Sequence, residues 1–273
     1  MPNPVLNPKA LNESIKESQA GFAAGERGTY IPPMTDGSST PWRSTVTDVM
    51  TVNGTISATA VLFAILLGAG VYGWSAVDVL PKVGAASLPG WLYPDLFVAL
   101  GLAILTSFKP KWARYTAPVY AIAEGLLLGA ISKLFDAQYP GIVMSAALGT
   151  MCVFASMLFL YRTRIIKVTD KLRRTVMAAT MGIFLLYMVG MLMRAFGGSV
   201  GFLDSASGLS ILISVVVIGV AAFNLMLDFD MIEKGAASGA PKHMEWYCAF
   251  GLMVTIVWLY MELLRLLSKL RER

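Results

Sequence analysis

Between residue 50 and the end, the chain offers seven stretches that are each mostly apolar and about 20 residues long, the length a helix needs to cross roughly 30 Å of hydrocarbon. They run over 55–77, 91–108, 116–135, 141–161, 175–196, 208–229 and 246–267. Together they use up the chain, leaving short loops and no room for a second folded domain. Only 14% of the residues are charged, against roughly 25% in a soluble domain. The mean hydropathy is +0.64. A water-facing surface cannot be assembled from so few polar side chains. The expected fold is therefore all-α and polytopic, with seven transmembrane helices over residues 50–273.

Residues 1–49 read differently. The run from Gly21 to Ser44 is rich in Gly, Pro, Ser and Thr and has no apolar periodicity, the pattern of a disordered polar tail. No basic segment followed by an apolar run opens the chain, so no cleavable signal peptide is expected. The tail serves as a linker or as a docking arm.

Orientation follows from Lys and Arg in the loops. With the tail cytoplasmic, fifteen of the 22 basic residues lie on the cytoplasmic side. Six of them (Arg162, Arg164, Lys167, Lys171, Arg173 and Arg174) crowd the loop between the fourth and fifth spans. The basic C-terminus, with Arg265, Lys269, Arg271 and Arg273, dissents; a re-entrant late stretch would bring it inside as well.

Several function classes fall away. Cys152 and Cys248 sit in apolar stretches and His243 is the sole histidine, so there is no zinc or thiol spacing, and both cysteines read as small core residues. The basic residues mark membrane topology rather than nucleic-acid binding. Neither Asp228 nor Asp230 has the Gly-x-Gly-Asp setting of an intramembrane aspartyl protease, and no phosphate-cradling loop is present. The expectation is a protein that is not an enzyme and needs no cofactor.

Ionisable groups inside spans point to function, because burying one costs several kcal/mol unless it is paired, protonated or hydrated. Glu124 lies mid-way along the third span with no cation within a turn, so it must face the bundle interior. Asn224 and Asp228 are four apart and share a face of the sixth span. Ser207, Ser210, Ser214 and Ala221 continue that small, polar stripe. Asp230 reads as a solvated carboxylate at the membrane surface, and Glu262 as the partner of Arg265 three residues on. Gly125 and Gly129 form a GxxxG step in the third span, and Gly68, Gly70 and Gly73 crowd the first, a pattern that lets helices approach in lipid.

The text Leu227-Asp228-Phe-Asp-Met-Ile-Glu233, then Glu245-Trp246-Tyr-Cys, then Leu259-Tyr260-Met-Glu-Leu-Leu-Arg265 resembles the transmembrane Bax inhibitor motif (Bax inhibitor-1) family, as a divergent bacterial-type member. Glu124-Gly125-Leu-Leu-Leu-Gly129 is similar to that family's Glu-Gly-x-x-x-Gly segment. The resemblance covers roughly residues 50–270. It implies a bundle of seven helices with the last one central, and a pH-sensitive calcium leak. It also implies an aspartate ending helix six that pairs with one on helix seven, and an arginine ending helix two that helps close the pore. The first falls on Asp228 and the arginine position on Lys109, which keeps the charge but loses the bidentate fork. The second aspartate's slot falls at Val254 or Thr255, neither a carboxylate. Glu124, Asp230 and Glu262 are the candidates to replace it.

Three readings stand. The first is a passive cation pathway, with Ca²⁺ as the transported ion touching Asp228 and Glu124 transiently and Asn224, Thr255 and Lys109 in support. The second is a regulator of stress or cell-death type that binds other membrane proteins or proteases through the tail. The third, a secondary transporter, lacks the inverted repeat such folds carry. The expected setting is the bacterial inner membrane, multi-pass, with a cytoplasmic N-terminus and the lipid bilayer as the one certain partner.

Overall fold

The structure is a computed structural model that describes residues 49–79, 86–87, 90–196 and 207–272. All of the polar tail except Val49 lies outside the described residues, as does Lys82. Among the described residues, seven helices carry the fold: α1 (Val52–Ser75), α2 (Leu92–Phe108), α3 (Ala113–Gln138), α4 (Ile142–Arg162), α5 (Asp170–Ala195), α6 (Gly208–Ala237) and α7 (His243–Arg271). Six of them are long and apolar enough to cross a membrane. The protein is thus an all-α, polytopic membrane protein, as expected. Helix α2 is the exception, since its 17 residues reach only about 25 Å. A short antiparallel pair, β1 (Asp78–Val79) with β2 (Ala86–Ser87), joins α1 to α2, where the sequence reads as loop.

Each helix overlaps an expected span, but four outrun theirs. Helix α3 runs from Ala113 to Gln138, α5 starts at Asp170, α6 continues to Ala237, and α7 reaches from His243 to Arg271. Past the apolar run, α6 is held helical by the Lys234–Asp230 pair one turn apart. None of α5, α6 and α7 is shorter than 26 residues, so each is long enough to cross a membrane. Large apolar side chains point outward from the bundle, among them Val71, Phe97, Phe108 and Met144, the surface expected where the solvent is hydrocarbon. Cys248 is buried, as expected, but Cys152 is exposed on α4; its stretch of helix turns outward instead of into the core.

The closest helix approach is between α1 and α3. A Cβ at Gly129 would overlap the Gly70 carbonyl, one at Gly125 the Leu66 carbonyl, and one at Gly73 the Leu126 backbone. In lipid, where burial gives no hydrophobic drive, such backbone contact is what holds two helices together. Gly68, by contrast, faces open space.

Helix α7 is the hub. It packs on α1, α3, α4 and α6 and is hydrogen-bonded to α5 through Glu262 and Tyr187. The chain leading into α1 is strapped to the α6–α7 turn: Met50 N–H donates to the Ala240 carbonyl at 2.7 Å, and Val49 forms a bridge with Pro241. Thr51 caps α1, its Oγ1 accepting from Gly54 N–H at 2.9 Å.

Candidate functional site

The seam between α6 and α7 gathers most of the polar groups singled out by the sequence. The stripe on α6 faces protein from Ser210 onward, with Ser210, Ser214 and Ala221 all buried, whereas Ser207 is exposed and caps the helix, accepting from Ser210 N–H. At its far end Asp228 meets α7 where three small residues, Cys248, Gly251 and Thr255, fall on one face. A Cβ at Gly251 would lie 3.9 Å from Asp228 Oδ1, so the carboxyl packs directly against this face of α7. Thr255 Oγ1 donates to the Gly251 carbonyl at 3.1 Å, and the Asp228 carboxyl faces that hydroxyl. Asp228 Oδ2 is enclosed and has no hydrogen-bond partner, an arrangement a folded protein retains for a reason. Of the two slots the family pattern left open, Thr255 is the one on this seam; Val254 packs against the α1–α3 side. The sequence marks Cys248 only as a small core residue and does not mark Gly251, because small residues on a hydrophobic helix carry no sign of what they face.

Further along the same seam, Ala221 and Leu259, both fully buried, close off the Asp228 end from a second polar group. Glu262 is 1% exposed. Its Oε1 accepts from Tyr187 OH and from Arg265 Nη1, each at 2.9 Å, while Oε2 has no partner. The expected Glu262–Arg265 pair therefore exists, joining a buried carboxylate to a guanidinium that is partly exposed. Arg265 also lies over the Tyr187 ring, 4.9 Å from its centroid. One turn beyond, Lys269 is buried and donates to Ser214 Oγ at 3.0 Å. Two cations thus stand at the α7 C-terminal end of the seam, with apolar packing between them and Asp228.

Glu124 sits elsewhere. On α3 it interacts with Tyr120, one turn back, and with Asp95 of α2. Asp95 Oδ2 is enclosed without a partner. Sequence reading passed over Asp95 because it opens a span, but α2 is short, so its first turn reaches the depth of the middle of α3. Tyr120 in turn meets Phe250 of α7 edge-on at 5.1 Å. The group touches the hub helix yet remains separate from Asp228.

The other candidates serve packing. Asp230 is not the solvated carboxylate expected: it is 6% exposed and accepts from Arg173 Nη2 and Lys234 Nζ, both at 2.8 Å. Helix α5 returns alongside α6 with Arg173 facing it, a contact invisible in local sequence. Asn224 turns to α5, donating to Thr180 Oγ1 at 2.8 Å, and so does not join Asp228 despite their spacing. Lys109 is exposed at the end of α2 and stacks over Trp112, 4.8 Å from the ring centroid. Among the described residues no three Asp, Glu, His or Cys side chains come together as a metal-binding group, and Asp228 and Glu124 are not joined in one.

Comparison with curated proteins and with solved structures gives no match for the chain. A model of the family described as Bax inhibitor 1 like matches residues 3–272, nearly the whole sequence and well into the N-terminal tail. With that coverage, the chain belongs to the Bax inhibitor 1-like family.

Proposed function

We propose that this protein is a membrane cation pathway of the pH-sensitive calcium-leak type, non-enzymatic, in which the α6–α7 seam is the gated segment. The observation that carries this reading is Asp228, an enclosed carboxyl with a free oxygen set against Thr255 of the hub helix. Such a group titrates with its surroundings and offers a hard oxygen to a passing cation. With a hydroxyl in place of a second carboxylate, there is no shared proton at this seam. The pH response then belongs to one carboxyl alone and follows a single step, where a paired switch would show two. Ala221 and Leu259 form the closed barrier, and Glu124 with Asp95 is a second acidic station on the other side of α7. The proposed topology is a cytoplasmic tail in the bacterial inner membrane, with the α7 C-terminus on the opposite side.

The strap at residues 49–51 favours a second role in the same molecule. Val49 and Met50, which follow the tail in sequence, are tied to the α6–α7 turn, so a membrane protein or protease bound to the tail would pull on the connection between those two helices. In this reading the tail is a docking arm and the seam its target.

The test is calcium flux into liposomes containing the purified protein and a calcium-sensitive dye, at acid and neutral pH. The expected result is flux above protein-free vesicles that changes in Asp228→Asn. Flux altered by Glu124→Gln but not by Asp228→Asn moves the pathway to the α2–α3 side. Flux equal to that of empty vesicles, from folded protein, overturns the channel reading and leaves the regulatory one.

A further inference from the structure

Helices α1, α3, α4 and α7 surround a cavity of about 720 Å³, within the roughly 300–1,000 Å³ typical of ligand sites. It arises because α4 packs on α6 and α7 rather than on α1, while the glycine contact pulls α1 the other way onto α3. The gap is open toward the lipid, since the lining residues Leu67, Val71 and Met151 are also exposed on the outer surface. The walls are almost wholly apolar. Ser132 and Tyr260 hydrogen-bond each other at 2.7 Å, and Thr150 donates to the Ala146 carbonyl at 2.8 Å, so the hydroxyls that line it are already engaged.

Its depth matches one leaflet. Phe63 and Trp74 both line it, and their separation on α1 is roughly 16 Å, about half of the hydrocarbon core. At the Trp74 end stands Lys133, its Nζ 4.9 Å from the indole centroid and without a salt-bridge partner among the described residues. Trp and Lys are the side chains that sit at headgroup level. An apolar slot one leaflet deep, open sideways and topped by an unpaired ammonium, is complementary to a phospholipid in both length and charge.

We infer that this cavity binds one membrane phospholipid, an acyl chain lying between α1 and α4 and its phosphate on Lys133. The site is separate from the Asp228 seam. It nevertheless bears on the same helix, since Ile256, Val257 and Tyr260 form its inner wall immediately after Thr255.

The experiment uses the full chain in phosphatidylcholine vesicles, titrated with phosphatidylglycerol whose acyl chains are brominated. Trp74 quenching is read as the difference between wild type and Trp74→Phe. The expected result is quenching that saturates at a low mole fraction and is lost in Ala147→Phe, which fills the slot. Lys133→Gln should lower the preference for phosphatidylglycerol about fivefold, the worth of one basic residue at an anionic surface. Quenching that rises linearly with bulk mole fraction and ignores Ala147→Phe means boundary lipid only and overturns the site. If Ala147→Phe does not fold, Lys133→Gln decides: an unchanged preference overturns the headgroup assignment. Neither readout involves calcium, so failure of the channel reading leaves this result standing.

Discussion

Glu245 Oε1 accepts two hydrogen bonds from Thr51, one from its backbone N–H and one from Oγ1, each at 2.9 Å. The acidic residue of the hub helix's first turn thereby holds the start of α1, across 194 residues of sequence. The carboxylate also occupies the space a side chain at Gly54 would need, so the fit requires glycine there. Charge-assisted bonds of this kind contribute about 1.5–3 kcal/mol each, and a buried partner left unsatisfied adds to the loss. Glu245→Ala is expected to destabilise the bundle by about 2 kcal/mol or more, read as a lower melting temperature in detergent. Glu245→Gln, which keeps an acceptor, should recover part of it.

The α1–α3 contact gives a sharper contrast. Gly129→Val places a branched side chain on the Gly70 carbonyl and must push two helices apart; overpacking alone costs about 1–3 kcal/mol. Gly68→Ala, on the same pair of helices but facing open space, should leave the melting temperature unchanged. Equal effects from the two would mean that the backbone contact does not hold these helices.

How far the sequence reaches is clear from such residues. The apolar runs alone locate all seven helices, because lipid demands a fixed length of continuous helix. The glycines are legible as a class, yet spacing cannot tell that Gly125, Gly129, Gly70 and Gly73 meet while Gly68 does not. Asp228 stands out as a charge in an apolar span. Asp95 does not, since its depth depends on α2 being short. Asp230 was misread because its cation, Arg173, comes from a helix 57 residues away. The partners of Glu245 and Glu262 are likewise contacts of tertiary structure, which local pattern does not encode.

Asp230 and Arg173 form the joint between α5 and α6. Helix α5 is the least enclosed of the six long apolar helices, and this contact is one of three polar ties it makes, beside Asn224–Thr180 and Tyr187–Glu262. Arg173 is 42% exposed at its side chain and Lys234 remains as a second cation, which moderates the loss. Arg173→Ala is expected to cost about 1 kcal/mol, toward the upper end for an exposed pair. Asp230→Ala should cost more, because it strands both cations and empties a buried position. A double-mutant cycle on the two positions measures the coupling; a coupling of zero would show that this pair does not hold α5 to α6.

The last prediction concerns the hydroxyl opposite Asp228. If the seam gates calcium through the protonation of one carboxyl, restoring a second one at Thr255 changes the form of the pH response. In Thr255→Asp, two carboxyls enclosed at one seam share a proton and titrate as a pair in two separated steps. The proton shared between them couples α6 to α7 in a way the wild-type threonine does not. Calcium flux of Thr255→Asp should therefore respond to pH in two separated steps, spread over a wider range than the single step of wild type. Asp228→Asn combined with Thr255→Asp leaves a single carboxyl on the opposite helix and should return the single-step response. Thr255→Val removes the hydroxyl that faces Asp228 while keeping its volume, and so separates the loss of that contact from the gain of a charge. Identical pH profiles for wild type, Thr255→Asp and Thr255→Val would place the sensor away from this seam, with Glu124 and Asp95 the next pair to replace.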